Sequence, residues 1–213
     1  MTRRRFDLSL YLVTDRERCA RLGIERVVGE AVAGGVTLVQ LRDDDTPGEE
    51  LVEIARRLRA VLEPSRVPLI VNNRIDVALA AGAAGAHVGQ ADTPPAAARA
   101  RLGPGAILGL SITHPAQLAA VPPPGDVDYL GVGPVFATST KPDAAPPLGL
   151  AGLAAVRAAT SLPIVAIGGV DHGNAVGVLR AGADGIAVVS AVCAASDPRA
   201  AALRLASALA GRG

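Results

Sequence analysis

The constraint that bears hardest on the fold is an alternation running the length of the chain: a short apolar run, a turn, then a segment with helical spacing, eight times over. Strands are predicted over 8–13, 37–42, 68–71, 85–88, 107–111, 129–132, 163–167 and 185–189. Helices are predicted over 24–33, 47–62, 76–81, 94–102, 115–120, 149–159, 174–181 and 198–210. The apolar runs are nearly continuous, as in strands covered on both faces, and the segments between them are long enough for crossover helices. Several helices open on Pro after Thr, His or Asp, where a missing N–H costs nothing. Three end on Gly before the next strand, in AGG from Ala33, AAGAAG from Ala80 and AGADG from Ala181. Eight such units close on themselves, so the predicted architecture is α/β, a single (β/α)8 TIM barrel. An open doubly wound sheet would lead with a glycine-rich phosphate loop after the first strand, and this chain has Thr14 and Asp15 there.

A barrel of this kind fits the 213 residues as one domain, 1–213, with 1–7 expected as a solvated N-terminal segment. Half of the residues are hydrophobic but only 2% are aromatic, so the core is built of Ala, Val, Leu and Ile packed on glycine. The net charge is +1 and the one dense basic run is Arg3, Arg4 and Arg5, which argues against a nucleic-acid partner. Cys19 and Cys193 are distant in sequence and fit neither a metal spacing nor a disulfide framework, which points to a reducing cytoplasm. The start carries no apolar stretch of signal-peptide length, and the other apolar runs are broken by Gly, Pro or charge, so no membrane association is expected. The oligomeric state is open, a homodimer included.

In a barrel the polar residues at the carboxyl ends of the strands converge on one face, where such folds place their chemistry. Here they are Gln40 and Arg42; Asn72 and Asn73; Gln90 and Asp92; Ser111, Thr113 and His114; Thr138, Ser139, Thr140 and Lys141; Gly168 and Gly169; and Ser190. Lys141 is the only lysine beside 20 arginines, which marks a place where a compact ammonium is wanted rather than a planar fork. Gly168 and Gly169, with Val189 and Ser190, offer backbone N–H groups to a phosphate monoester. Arg42, Ser111 and Lys141 supply a second anion pocket on the opposite arc. His87 reads as a core residue, and Tyr129 and Phe136 as packing groups; His114 reads as a helix start or a mouth residue, and His172 as solvated.

The motifs YLVTD, LVQLRDDD, LIVNNRIDVALAAGAAGAHVGQAD, ILGLS, DYLGVGPVFATSTKPD, PIVAIGGV and AGADGIAVVSAV occur in that order across essentially the whole chain. In this the chain resembles the thiamine phosphate synthase family. The resemblance implies a transferase of thiamine biosynthesis that joins a hydroxymethylpyrimidine diphosphate to a thiazole phosphate, releasing pyrophosphate with Mg²⁺. It implies pyrimidine diphosphate contacts at Gln40, Arg42, Asn72, Ser111 and Lys141, with Arg42, Ser111 and Lys141 catalytic. It implies magnesium at Asn73 and Asp92, and a thiazole phosphate site at Thr138, Ser139, Thr140, Gly169, Val189 and Ser190. Two positions depart from the family pattern. Asp44 stands in the diphosphate site where the family usually has Lys, and Asn73 stands where it usually has Asp. A thiazole tautomerase relative, or a binding paralogue without turnover, are the alternatives; the tautomerases usually carry His where this chain has Pro134.

Overall fold

The computed structural model describes residues 6–121, 125–140 and 144–211, and within them the barrel is present. Strands β1 (Leu10–Val13), β2 (Leu38–Leu41), β3 (Leu69–Asn72), β4 (Gly85–Val88), β5 (Ile107–Ile112), β6 (Tyr129–Val132), β7 (Ile164–Ala166) and β8 (Gly185–Val188) pair in chain order. All pairings are parallel, and β8 returns to β1. Outside lie α1 (Arg16–Cys19), α2 (Ile24–Ala33), α3 (Gly48–Leu62), α4 (Ile75–Ala81), α5 (Pro95–Leu102), α6 (Gly149–Ala158), α7 (Ala175–Arg180), α8 (Ser190–Cys193) and α9 (Pro198–Ala210).

The core has two compartments. Outward strand residues such as Leu12, Val39 and Val71 meet the apolar stripes of the helices, for example Leu51, Ile54, Ala55 and Leu58 of α3. Inward residues, Tyr11, Val13, Leu38, Ile70, Ile107, Tyr129 and Val165 among them, fill the barrel. Both tyrosines of the chain are therefore inside it.

Three expectations change. The segment Pro115–Ala120 is a 3-10 helix rather than an α-helix, opened by the His114 side chain, which accepts from the Ala116 N–H. α1 and α8 were not predicted, because four residues carry no helical period. The expected solvated segment 1–7 stops short of Phe6, which is half-buried and packs against Tyr129 with ring centroids 5.9 Å apart; residues 1–5, with Arg3 to Arg5, lie outside the described residues.

At the amino ends of the strands a repeated device fixes register. Asp128, just before β6, accepts from the Leu108 N–H at 2.8 Å and pairs with Arg99 at 2.6 Å. Asp184, just before β8, accepts from the Ile164 N–H at 2.8 Å and pairs with Arg157 at 3.1 Å. These clamps sit at the end where barrels place stability rather than chemistry. No helix among the described residues is long and apolar enough to cross a membrane.

Candidate active site

The carboxyl ends of the strands open into a cavity of about 630 Å³. On the β2–β5 arc it is lined by Gln40, Arg42, Asp44, Asn72, Asn73, Asp92 and Ser111. On the β6–β8 arc it is lined by Thr138, Thr140, Gly168, Gly169, Val189 and Ser190.

Local structure explains how each is held. The Arg42 N–H donates to the hydroxyl of buried Thr14 at 3.2 Å, which ties the end of β2 to the end of β1. Its guanidinium donates to Asp44 at 2.7 Å, and the Asn72 amide approaches the other Asp44 oxygen at 3.4 Å. Asp44 thus occupies two donors of the β2–β5 arc. Asn73 takes a left-handed backbone, φ 56°, a conformation Asn and Asp tolerate better than most side chains. Its N–H donates to the His87 carbonyl at 2.8 Å.

On the other arc, Gly168 and Gly169 have φ of 95° and 63°. A Cβ on Gly169 would stand 2.6 Å from the Ala137 carbonyl oxygen and 2.7 Å from Phe136 Cβ, so the glycine also lets the β6 loop lie close. α8 begins beside it. Its N-cap, Val189, gives no side-chain cap, and the Val192 N–H closes onto the Val189 carbonyl at 3.1 Å. Thr138 Oγ accepts from the Thr140 N–H at 3.2 Å and shapes the loop between the arcs.

Beneath both arcs runs a buried polar chain. Gln40 Nε2 donates to the Tyr11 hydroxyl at 2.7 Å, and the Tyr11 and Tyr129 hydroxyls meet at 2.9 Å. Tyr129 Oη lies 2.9 Å from His87 Nδ1, and His87 Nε2 lies 2.9 Å from Ser111 Oγ. Burial pushes both phenols up and holds the His87 imidazole down to about 4, so the phenols are protonated and the imidazole is neutral near pH 7. Tyr129 is therefore more than the packing group expected, and His87 more than a core residue. Each is the only strongly polar side chain inside its strand, a signal visible in the sequence; their meeting is not.

The donor set suits magnesium, which takes one or two carboxylates and leaves phosphate oxygens and water to complete its shell. Asp92 lines the cavity with one oxygen held by the Gly89 N–H at 2.7 Å, and Asn73 offers an amide oxygen from the same arc. Among the described residues no group of three His, Cys, Asp or Glu forms a self-sufficient metal cluster.

Of the residues singled out in the sequence, Ser139 is exposed and outside the cavity lining, its carbonyl accepting from Arg18 at 3.4 Å. Lys141 lies outside the described residues. Gln90 reaches the Ser111 carbonyl at 2.7 Å without lining the cavity. The cysteines, distant in sequence, come together as buried free thiols of α1 and α8. There the Cys193 side chain holds Cys19 down, while Cys19 and burial push Cys193 up.

Fold and cavity define a (β/α)8 barrel with a polar cavity at the carboxyl ends of its strands. Within that class, the sequence profile described as thiamine monophosphate synthase matches residues 10–192, and the chain belongs to this family. It is 58% identical to the thiamine-phosphate synthase of Xanthobacter autotrophicus over 96% of both chains. It is 56% identical to that of Azorhizobium caulinodans over 90% of both. Among solved structures it resembles thiamine phosphate pyrophosphorylase from Pyrococcus furiosus, with a TM-score of 0.85, 36% identity, and coverage of 95% of this chain and 96% of that one. 3-Hexulose-6-phosphate synthase, at 18% identity and a TM-score of 0.64, shares the fold.

Proposed function

We propose that this chain is a thiamine-phosphate synthase, a transferase that moves a pyrimidinylmethyl group from a diphosphate to the nitrogen of a thiazole phosphate. The observation that carries the reading is one cavity with a donor arc on β2–β5 facing a glycine and helix-start arc on β7–β8. One reactant needs each arc, and a cavity of about 630 Å³ is of the size that ordinary small-molecule sites have.

In this reading Arg42, Asn72 and Ser111 hold the diphosphate, with Lys141 completing the set. The carbon–oxygen bond to the diphosphate breaks and pyrophosphate leaves with the electron pair. The pyrimidine ring delocalises the positive charge left on its methylene. The thiazole nitrogen then donates its lone pair to that carbon, and the carbon–nitrogen bond forms. No strong base is required, so the chain's contribution is to neutralise the leaving charge and hold the nitrogen in line. Thr138, Thr140, Gly169, Val189 and Ser190 fix the thiazole phosphate on the far arc. Asn73 and Asp92 would hold Mg²⁺, which when bound adds charge neutralisation at the phosphate oxygens. A cytoplasmic setting belongs to this proposal, in keeping with two free thiols.

Pro134 lines the cavity where a tautomerase relative would present histidine, and a proline side chain moves no proton. The test is formation of thiamine phosphate and pyrophosphate from both substrates, with and without Mg²⁺. Product with Mg²⁺ supports the proposal; binding of the thiazole phosphate without product supports a paralogue that has lost turnover.

A further inference from the structure

We infer that Gln40, Tyr11, Tyr129, His87 and Ser111 form a hydrogen-bond chain of fixed direction, which holds His87 as its Nε2–H tautomer and aims the Ser111 hydroxyl proton into the cavity. His87 and Tyr129 are then positioning residues that act on substrate through Ser111.

The direction follows from counting protons along the contacts. Gln40 Nε2 has only hydrogens to offer, so the Tyr11 oxygen is its acceptor. Tyr11 is 1% exposed, and among the described residues its hydroxyl has one other partner, Tyr129, to which its own proton goes. Tyr129, with no exposed surface, receives that proton and spends its own on the remaining neighbour, His87 Nδ1. An imidazole that accepts at Nδ1 while neutral carries its hydrogen on Nε2. That hydrogen points at Ser111 Oγ, 2.9 Å away. The serine oxygen is thereby used as an acceptor, and its own proton turns to the cavity that Ser111 lines.

A reversed chain would do the opposite. With the Gln40 amide turned over, every proton shifts one place, His87 carries its hydrogen on Nδ1, and Ser111 donates inward while showing lone pairs to the cavity. An anion on the β2–β5 arc needs the first arrangement, because a hydroxyl lone pair repels a phosphate oxygen. This part of the inference rests on the proposed function. The direction of the chain rests instead on the Gln40 amide presenting Nε2 to Tyr11.

The experiment separates the two. The chain has three histidines, so protein labelled with [15N]histidine gives three imidazoles, and His87→Asn assigns the one of interest. Long-range 1H–15N correlation at pH 7.5 should show His87 protonated at Nε2 and bare at Nδ1. Tyr129→Phe should erase that preference and leave a mixture of tautomers. Gln40→Glu, recorded at pH 8.5 so that the carboxylate is ionised, should reverse the chain and move the hydrogen to Nδ1 across two intervening tyrosines. An Nδ1–H tautomer in the unaltered protein overturns the inference whether or not the variants fold. So does a tautomer unmoved by Tyr129→Phe in a variant of intact circular dichroism.

Calorimetry with pyrophosphate and MgCl2 reads the consequence for the site. Tyr129→Phe should weaken binding about 5- to 10-fold, in the range of one neutral hydrogen bond. In a Ser111→Ala background it should cause no further loss. The predicted tautomer together with no pyrophosphate binding at all would reject the synthase reading and leave the chain standing. Equal losses in both backgrounds would show that Tyr129 does not act through Ser111.

Discussion

The Tyr129 hydroxyl and His87 Nδ1 meet at 2.9 Å across an intervening strand, over the bare backbone of Gly109. Register makes this possible: His87 on β4 stands beside Gly109 on β5, and Gly109 stands beside Tyr129 on β6. A Cβ on Gly109 would run into the Tyr129 ring and His87 Nδ1 together. Gly131 on β6 performs a similar service, since its Cβ would stand 2.8 Å from His87 Cε1.

Gly109→Ala is accordingly expected to destabilise the protein by about 1–3 kcal/mol, the usual cost of forcing one extra carbon into a packed interior. Denaturant melts measure it. A variant as stable as the parent would mean that the interior yields without cost.

His87 makes stability depend on pH in a defined window. Its folded value, held by burial at about 4, lies below the ordinary 6.5 of the unfolded chain. As pH falls through 6.5 the unfolded state takes up a proton that the folded state refuses. The contribution is constant above pH 6.5 and is lost between 6.5 and 4, by roughly 3 kcal/mol at the lower end. His87→Asn should flatten that part of the stability profile, and identical slopes in variant and parent would contradict the assignment.

Asp44 competes with any anion that needs Arg42. Asp44→Asn should raise the affinity for pyrophosphate about tenfold at low salt, and the gain should shrink toward 1 M salt because the pair is open to solvent. Asp44→Lys should raise it further. If Asp44 instead helps hold the metal, both variants will lose Mg²⁺-dependent binding, which a magnesium titration reveals.

Ser190→Ala and Gly169→Ala should both weaken a thiazole phosphate monoester relative to pyrophosphate, but with different side effects. Ser190 opens α8 at the cavity, and its loss should leave the melting temperature within a degree or two. Gly169→Ala forces a left-handed backbone and a close approach to the β6 loop, so the melting temperature should fall as well. Equal binding losses for the two anions would mean that the arcs are not separate sites.

Much of this was legible in the sequence because each strand is an apolar run ended by polar residues. Gln40, Arg42, Asn72 and Ser111 announce themselves by following such runs, and the eight repeats force them onto one face. The chain from Gln40 to Ser111 was not legible, since it depends on the register of Asn72, His87, Gly109 and Tyr129 across β3 to β6. A tyrosine in an apolar strand carries no mark of what its hydroxyl will meet. The contact between Arg42 and Asp44 hid for a different reason. Two residues apart on a strand they would point to one face, but both lie beyond β2, and the loop brings the carboxylate to the guanidinium.

The scarcity of aromatic residues has a practical return. The chain has no tryptophan and two tyrosines, Tyr11 and Tyr129, both sealed inside the barrel and hydrogen-bonded to one another. Its near-ultraviolet absorbance and tyrosine emission therefore originate within a few ångströms of the cavity floor. An occupant that disturbs Gln40 or Ser111 will tune those bands, so the unlabelled protein contains its own optical reporter of the site, free of background from the surface.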